Sequence, residues 1–510
     1  MARRTRHSNL LFDGSDWNFA TLSRTYEAIR EVALEDLRLD TYPNQMEIIS
    51  SEQMLDAYSS IGMPLMYRHW SFGKHFLQEQ HLYRKGRRGL AYELVINSNP
   101  CITYLMEENT MAMQALVTAH ASFGHNHFFK NNYLFQQWTD ASAILNYMEF
   151  AKSYIARCEE KHGVSEVESI LDAAHALMEQ AVFRYRRPPR LSSAQERERL
   201  RDRLDYEERI FSDLWRTLPQ RKDGERNDED EREAQERKKA LNLPEENLLY
   251  FLEKNSLILE PWQREILRIV RIVAQYFYPQ RQTKVMNEGC ATFVHYTIMN
   301  ALFDAGRISE GAMLEILQSH SNVVFQPGFD DPRFSSFNPY ALGFAMMQDI
   351  QRICTEPTSE DRDWFPDIAG NGDWRETLLG AWANHRDESF ILQYLSPALI
   401  RKLRLFVLSD DAAQPHYQVA SIHDERGYAK IRATLAHNYD IGTQQPNIQV
   451  ADVDLLGNRH LRLQHMVHDG VVLTEESRDA TLRHIRRLWG YDVTLVGIDE
   501  GGSQVYEAAA

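Results

Sequence analysis

The sequence predicts a mainly α-helical N-terminal region followed by a small α+β C-terminal domain. Up to about residue 400, apolar residues recur at three- and four-residue steps, which is the period of one buried helix face. From residue 401 onward, short apolar strands alternate with two helical stretches in the order β-β-α-β-β-α-β. That order is typical of two β-β-α units in tandem with a closing strand.

Charge and composition exclude several classes of protein. The 510 residues include 57 basic and 73 acidic side chains, a formal net charge of −16, which argues against nonspecific binding to nucleic acid or to an anionic membrane surface. No stretch approaches about 18 consecutive apolar residues, and the basic N-terminus lacks the apolar core of a signal peptide. The four cysteines are scattered and form no CxxC motif, which suits a reducing compartment. We therefore expect a cytoplasmic protein with neither a membrane span nor a nucleic-acid partner.

Composition and patterning divide the chain into four segments. Residues 1–185 form the first half of a helical domain, and residues 244–400 form its second half. Between them, residues 186–243 carry mixed charges with few apolar residues, so we expect a charged, partly disordered excursion that binds no ligand. Residues 401–510 form the α+β C-terminal domain, and we assign none of its histidines as a ligand.

Within the first half, residues 18–57 show the apolar periodicity of helices. The stretch Tyr92–Ile96 is the one clear strand signal, and turn-forming residues end it. Asn109 or Thr110 can cap the next helix. Glu108 lies near the N-terminal end of that helix, where the helix dipole favours a carboxylate.

The stretch ALVTAHASFGHNHFF places two histidines, His120 and His125, five residues apart. Metal-binding pairs on a regular helix lie four residues apart, whereas five steps rotate the second ring away by about 140°. A π-bulge adds one residue to a turn and would bring the two rings back together, and Gly124 is a suitable place for it. The pair is therefore a candidate metal site. The alternative is that each buried ring is bonded to a carbonyl or a carboxylate.

The second half of the helical domain supplies a carboxylate. Val285–Gly306 is an apolar helix with Glu288 near its start and His295 inside it. A carboxylate in so apolar a segment is costly unless it is paired or bound to a metal. His120, His125 and Glu288 provide the two imidazoles and one carboxylate of an open zinc site. Iron and manganese also accept such a set.

His295 lies seven residues after Glu288, which returns it to within about 20° of the same helix face. The same seven residues rise about 10.5 Å, so one ion contacting both side chains at about 2 Å would be strained. We therefore expect His295 to hold Glu288 by a hydrogen bond or to donate one to a developing oxyanion.

Five motifs carry a family resemblance: HWSFGK, INSNPCITYLMEENT, HASFGHNHFFKNNYLF, VMNEG and NPYALGFAM. In this order they are similar to those of the SpoVR (stage V sporulation protein R) family, and the likeness extends over nearly the whole chain. The resemblance implies a link to the spore cortex, the cell wall or stress physiology, and a PrkA-type serine/threonine kinase as a candidate partner. Position 290 is Cys where the family has Trp, so Cys290 is not expected to be a catalytic thiol.

A more distant likeness bears on the chemistry. His-x4-His followed on a later helix by Glu-Gly-x-Ala resembles the gluzincin-like tyrosine carboxypeptidases, whose pattern is HExxxH and then EEGLA. The likeness implies a metallopeptidase-like helical core with a few strands, in which His120, His125 and Glu288 bind zinc.

One position departs from that pattern. Ala121 stands where those peptidases have the Glu that activates water, and loss of a general base typically costs about 10²–10⁴ in rate. Glu107, Glu108 or His295 could take over this role. We select Glu108 and His295 as the candidate catalytic residues.

The leading hypothesis is a cytoplasmic zinc-dependent hydrolase that cleaves a peptide or amide bond in a peptide-like substrate, such as a cell-wall precursor or a protein tail. A second hypothesis is a noncatalytic scaffold, in which the metal stabilises a regulatory protein that acts with the kinase. A third is a redox iron or manganese site. A fourth has buried histidines bonded to carboxylates, with no metal.

Overall fold

The computed structural model describes residues 9–59, 63, 66–71, 74, 93–184, 198, 201, 243–328, 331–334, 336–409, 416, 418–421, 423–455 and 457–510. The predicted charged excursion of residues 186–243 therefore lies almost wholly outside the described residues.

The chain forms two compact units, each built from two separate stretches. The first unit combines Met1–Ser153 with Pro279–Asp440, and the second combines Tyr154–Tyr278 with Ile441–Ala510. The predicted boundaries after residues 185, 243 and 400 come from composition along the chain, and they stay predictions. The compact units are grouped differently because they reflect packing between stretches that are distant in sequence.

Helices are the main element of the described chain, as the sequence predicts. Up to residue 304 they are α1 Phe19–Glu31, α2 Ser51–Ser59, α3 Met111–Val117, α4 Asn126–Asn131, α5 Tyr133–Trp138, α6 Ile144–His162, α7 Val164–Ala176, α8 Leu248–Asn255, α9 Pro261–Gln282 and α10 Lys284–Asp304. After residue 304 they are α11 Glu310–Val323, α12 Pro339–Thr355, α13 Ser359–Trp364, α14 Trp374–Asn384, α15 Asp387–Tyr394, α16 Pro397–Lys402, α17 Glu425–Asn438, α18 Ile441–Gln444 and α19 Glu475–Trp489. There are also π-helical segments at Val32–Asp36 and Thr118–His125, and a 3₁₀ turn at Met178–Gln180. Among the described helices, none is both long enough and apolar enough to cross a membrane.

The described strands form three sheets. The strands are β1 Asn44–Ile49, β2 Glu93–Ile96, β3 Cys101–Met106, β4 Val407–Ser409, β5 Gln418–Ser421, β6 Asn447–Val453, β7 Leu461–Met466, β8 Val493–Ile498 and β9 Gln504–Ala509. The first sheet has the order β1-β3-β2, with β1 parallel and β2 antiparallel to β3. Strands β4 and β5 form an antiparallel pair, and the third sheet has the order β6-β7-β8-β9 with β7 parallel to β8.

The first half of the chain contains more strand than the sequence predicts. The helical prediction for residues 18–57 is right for α1 and α2 but wrong at Asn44–Ile49, which forms β1. This strand pairs with β3, so its conformation depends on a partner nearly sixty residues away that local periodicity does not report. The predicted strand at Tyr92–Ile96 is confirmed as β2 (Glu93–Ile96).

The predicted C-terminal element order is confirmed, with α18 and β9 as additional elements. The two β-β-α units do not share one sheet, however. Strands β4 and β5 with α17 lie in the first unit, whereas β6 to β9 form a four-stranded sheet in the second unit. In that second unit, α19 packs against β8 and β9 with an apolar face that includes the fully buried Trp489.

The first unit is organised around α10, whose side chains are buried along most of its length. The π-helix and α12 each contact α10 closely at a glycine. A Cβ atom on Gly124, in the π-helix, would lie 2.5 Å from the Cα of Ala291, and one on Gly343, in α12, would lie 2.2 Å from the carbonyl oxygen of Val285. Because nothing larger than hydrogen fits at these two points, the three helix backbones are held at close and fixed spacing.

Candidate metal centre

The two histidines of the His-x4-His motif lie on the π-helix Thr118–His125. A π-helix makes i→i+5 hydrogen bonds, so residues five apart fall on the same side. The rings of His120 and His125 are accordingly neighbours, with centroids 4.7 Å apart and planes at 89°. The predicted π-type irregularity at this motif is confirmed.

The structure brings the predicted ligand set together. One ligand atom from each of His120, His125 and Glu288 lies within 4.8 Å of the others. His125 Nε2 and Glu288 Oε2 are 3.5 Å apart. Two atoms bound to one tetrahedral zinc at about 2.0–2.2 Å are separated by about 3.4 Å, so this spacing already suits a shared ion.

One carboxylate oxygen of Glu288 receives no hydrogen bond from the part of the chain that the structure describes. This oxygen is Oε2, and it is buried. A buried carboxylate oxygen with no donor is costly, and a cation would remove that cost. Two imidazoles and a carboxylate suit Zn²⁺, and also Fe²⁺ or Mn²⁺. The residues present therefore fit a divalent metal ion.

Asn287 orients His125. The side-chain oxygen of Asn287 lies 2.9 Å from His125 Nδ1 and can only accept, so Nδ1 carries the proton. In the neutral ring the other nitrogen, Nε2, then offers its lone pair on the side of Glu288. Since Asn287 precedes Glu288 on α10, one turn of this helix supplies both a ligand and the group that orients another. The sequence pattern alone does not indicate this role of Asn287.

His120 is oriented by His295. The two Nδ1 atoms are 2.9 Å apart, and His120 Nε2 is turned toward Glu93, 3.7 Å from its Oε1. The prediction that His295 holds Glu288 is wrong: the rise along α10 carries His295 to the level of His120. The prediction that His295 acts on an oxyanion also loses its basis, because its second nitrogen is bonded to His320 at 2.9 Å.

Glu108 does not reach the cluster. It is exposed, and its Oε1 accepts a hydrogen bond from the backbone N–H of Ser51 at 3.3 Å. It precedes α3, and the helical residues from Met111 to His120 add a rise on the order of 14 Å. The structure gives no support to Glu108 as the water-activating group. Thr110, by contrast, caps α3 as predicted.

Glu93 is the carboxylate that sequence analysis missed. It begins β2, at the edge of the three-stranded sheet, and its side chain is only 18% exposed beside His120. Burial, and secondly the nearby Glu288, raise the pKa of Glu93 to about 8. One signal was available in the sequence: an acidic residue stands at the head of an otherwise apolar strand.

Three histidines of this region, His120, His295 and His320, have lowered pKa values that favour the neutral ring. Burial lowers the pKa of His120 and of His295 well below the usual value, and the adjacent imidazoles lower both further. Burial lowers the pKa of His320 to about 4. Neutral imidazoles can bind a metal without first releasing a proton.

The start of α10 is anchored from another helix. The two carboxylate oxygens of Asp387 accept the backbone N–H groups of Val285 and Met286 at 2.8 and 2.9 Å. This caps the first turn of the helix, up to the residue before Asn287, and fixes the position of Glu288 along the helix axis.

Further along α10, Cys290 is fully buried and its thiol donates to the Gly124 carbonyl, a packing role rather than a catalytic one.

Aromatic rings flank the two ligand histidines. Phe129 stacks on His125 with centroids 5.8 Å apart, and Tyr340 stacks on His120 at 6.4 Å. His127 faces elsewhere: its Nδ1 accepts the backbone N–H of Asp40 at 3.0 Å. It therefore belongs to the packing around the π-helix and not to the ligand set.

Comparison with known proteins identifies similarity along nearly the whole chain. Residues 16–444 match the family described as SpoVR like protein, and residues 446–500 match the SpoVR-like C-terminal domain. A protein of Escherichia coli (strain K12), named "Uncharacterized protein YcgB", is 55% identical over 493 residues, which cover 97% of this chain and 95% of that protein. No solved structure matches the chain.

Proposed function

The chain belongs to the SpoVR family, and from that premise and the cluster of His120, His125 and Glu288 we propose that it is a zinc-dependent hydrolase of peptide or amide bonds. The observation that carries the proposal is the buried Glu288 Oε2, which lacks a donor among the described residues and lies 3.5 Å from an oriented imidazole nitrogen. A Zn²⁺ ion bound there supplies Lewis acidity for a carbonyl oxygen and lowers the pKa of water.

Glu93 takes the role of the general base in this proposal. Position 121 is a fully buried Ala and offers no carboxylate, whereas Glu93, at the edge of the sheet, has its Oε1 3.7 Å from Nε2 of the ligand His120. Burial favours the protonated form of Glu93, and a nearby cation favours the ionised form. These opposing effects suit a group that takes up and returns a proton near neutral pH.

The test combines metal analysis with a search for cleavage. Purified wild-type protein, Glu93→Gln and Glu288→Gln are analysed for bound metal and incubated with a peptide library whose products are read by mass spectrometry. We expect about one Zn²⁺ per chain and cleavage by the wild type. We expect Glu93→Gln to keep the metal and to lose about 10²–10⁴ in rate.

The opposite results are equally informative. A wild-type protein that holds no stoichiometric metal contradicts the proposed centre. A wild-type protein that holds metal and cleaves nothing favours the second candidate, a metal-stabilised scaffold. The near-complete burial of His120 and His125 supports that candidate, because it limits access to the ion. A kinase partner and a role in the spore cortex, cell wall or stress physiology are predictions from the family resemblance alone.

A further inference from the structure

Three buried histidines form a continuous chain of hydrogen bonds that starts at the proposed metal ligand His120. His120 Nδ1 contacts His295 Nδ1 at 2.9 Å, and His295 Nε2 contacts His320 Nδ1 at 2.9 Å. The three rings come from the π-helix, α10 and α11, so the chain links three separate elements of the first unit. All three residues are buried, with 2–6% of their surface exposed.

Such contacts restrict the protonation of every ring. Two nitrogens 2.9 Å apart attract only if one carries the proton and the other offers a lone pair. A neutral imidazole has one nitrogen of each kind, whereas an imidazolium ion has two donors, so two adjacent imidazolium ions would place donor against donor. Neighbouring rings in the chain therefore cannot both be charged, and burial, which lowers the pKa of each ring, favours the neutral form of all three.

A chain of neutral imidazoles can run in two directions. In one direction His120 donates to His295, which donates to His320. In the other direction His320 donates to His295, which donates to His120, and the remaining proton of His120 is on Nε2. A cation bound to Nε2 of His120 is compatible only with the first direction, because that nitrogen must offer its lone pair.

We propose that His295 and His320 are positioning residues that hold His120 in the tautomer and ring orientation in which Nε2 binds the metal. This inference rests on the metal centre of the proposed function but not on hydrolysis. Neither histidine contacts the ion. Each acts through the next, as His295 accepts the proton of His120 Nδ1 and His320 accepts the proton of His295 Nε2.

The two ligand histidines differ in how many contacts determine which ring nitrogen carries the proton. His125 faces the side-chain oxygen of Asn287, which can only accept, so its tautomer is settled by one contact. His120 Nδ1 faces another imidazole, which can accept or donate, so this contact sets the tautomer only together with the next ring; the backbone of Ala291 gives the His120 ring a further hydrogen bond. The end of the chain is enclosed by aromatic rings: His320 lies 4.9 Å from Tyr296 and 4.8 Å from Phe344 between centroids. The His120 side of the centre therefore depends on residues two contacts away.

The experiment compares four variants of the full-length protein. His295→Phe keeps a ring but removes the acceptor, whereas His295→Asn keeps one acceptor and one donor. His320→Phe removes the acceptor at the end of the chain. His465→Phe is the control, since it removes a buried histidine of the four-stranded sheet that is bonded to Tyr506. Zn²⁺ affinity is measured by chelator competition, the ligand geometry by the Co²⁺ absorption spectrum, and folding by the melting temperature of the metal-free protein.

We expect His295→Phe to weaken Zn²⁺ binding by about 10–100-fold, the usual effect of losing a partner that orients a ligand, and to change the Co²⁺ spectrum. His295→Asn should recover much of the affinity. His320→Phe should weaken binding by a smaller factor, and His465→Phe should leave it unchanged.

The outcomes separate this inference from the proposed function. If the wild type binds no stoichiometric Zn²⁺, the metal centre itself fails. If the wild type binds Zn²⁺ and His295→Phe matches it in affinity and in Co²⁺ spectrum, the positioning role is overturned while the metal centre stands. If His295→Phe does not fold, the comparison of His320→Phe with wild type decides, and equal affinity overturns the proposal.

Discussion

Two groups of histidines in this protein have different partners. In the first unit, His120 and His295 contact other imidazoles, and His125 lies beside a carboxylate oxygen that lacks a donor among the described residues. In the second unit, His460, just before β7, and His465, within β7, are hydrogen-bonded at 2.7 Å to the hydroxyls of Thr494 and Tyr506. A hydroxyl can donate to or accept from the ring nitrogen that it contacts, whereas the first arrangement leaves ligand nitrogens and a carboxylate facing one point. Partner chemistry therefore separates a ligand histidine from a structural one better than burial does.

The largest expected difference between the two groups is in metal content. His125→Ala removes one of three ligands and should reduce bound Zn²⁺ from about one ion per chain to a trace, a larger effect than the roughly 10–100-fold of an orienting partner. His465→Ala, which removes an equally buried histidine, should keep its full complement. Elemental analysis after dialysis measures both. Equal metal content in the two variants would contradict the distinction.

A second comparison is between a glycine at a close helix contact with α10 and a glycine with open space around it. Gly343→Ala places a methyl group against the Val285 carbonyl, and overpacking of this kind typically costs about 1–3 kcal/mol or more. It should also weaken Zn²⁺ binding, because a shift of the backbone at Val285 would displace Glu288, which lies three residues later on the same helix. Gly380→Ala is the matched control: this helical glycine has nothing within 4 Å of a new Cβ.

The control should be neutral or stabilising by up to about 1 kcal/mol, the difference between Gly and Ala inside a helix. Urea denaturation of metal-free protein measures both free energies of unfolding. The packing account is wrong if Gly343→Ala is as stable as Gly380→Ala.

A third, smaller effect is the pH dependence that Glu93 gives the metal-free protein. The pKa of Glu93 is raised from 4.5 to about 8, so between these values the folded state binds more protons than the unfolded state. The stability contributed by the protonated carboxyl is therefore lost as pH rises through that window, by at most about 1.4 kcal/mol per pH unit. Gln cannot titrate, so metal-free Glu93→Gln should gain stability relative to wild type between pH 6.5 and 8. Urea titrations at both pH values test this; an unchanged difference would argue against a buried, protonated Glu93.

The smallest effect is expected from His465 in the second unit, with the opposite sign. Burial lowers its pKa from 6.5 to about 4, so the unfolded state binds more protons between these values. Stability is then lost as pH falls through that window. His465→Gln should flatten the loss between pH 6.5 and 4 in the same denaturation experiment. A variant with the wild-type acid profile would mean that His465 titrates normally.

The ligand set could be predicted from the sequence because each part has a local signal. The five-residue spacing of His120 and His125 called for a π-type turn, and a carboxylate near the head of an apolar helix called for a partner. The fold class followed from periodicity for the same reason.

The residues around the ligands could not be predicted, because they come from parts of the chain that are distant in sequence. Glu93 is carried to His120 by the sheet, and His320 meets His295 only through the packing of α11 on α10. Glu108 was selected because it precedes the histidine helix closely in sequence, and the length of that helix moves it away.

The central claim is that His120, His125 and Glu288 bind one metal ion. Anomalous diffraction from Zn²⁺-loaded crystals at the zinc absorption edge tests it most directly. We predict one peak at about 2.0–2.2 Å from Nε2 of His120, Nε2 of His125 and a carboxylate oxygen of Glu288. A peak bound by other residues, or none in protein that is fully loaded in solution, would contradict the claim.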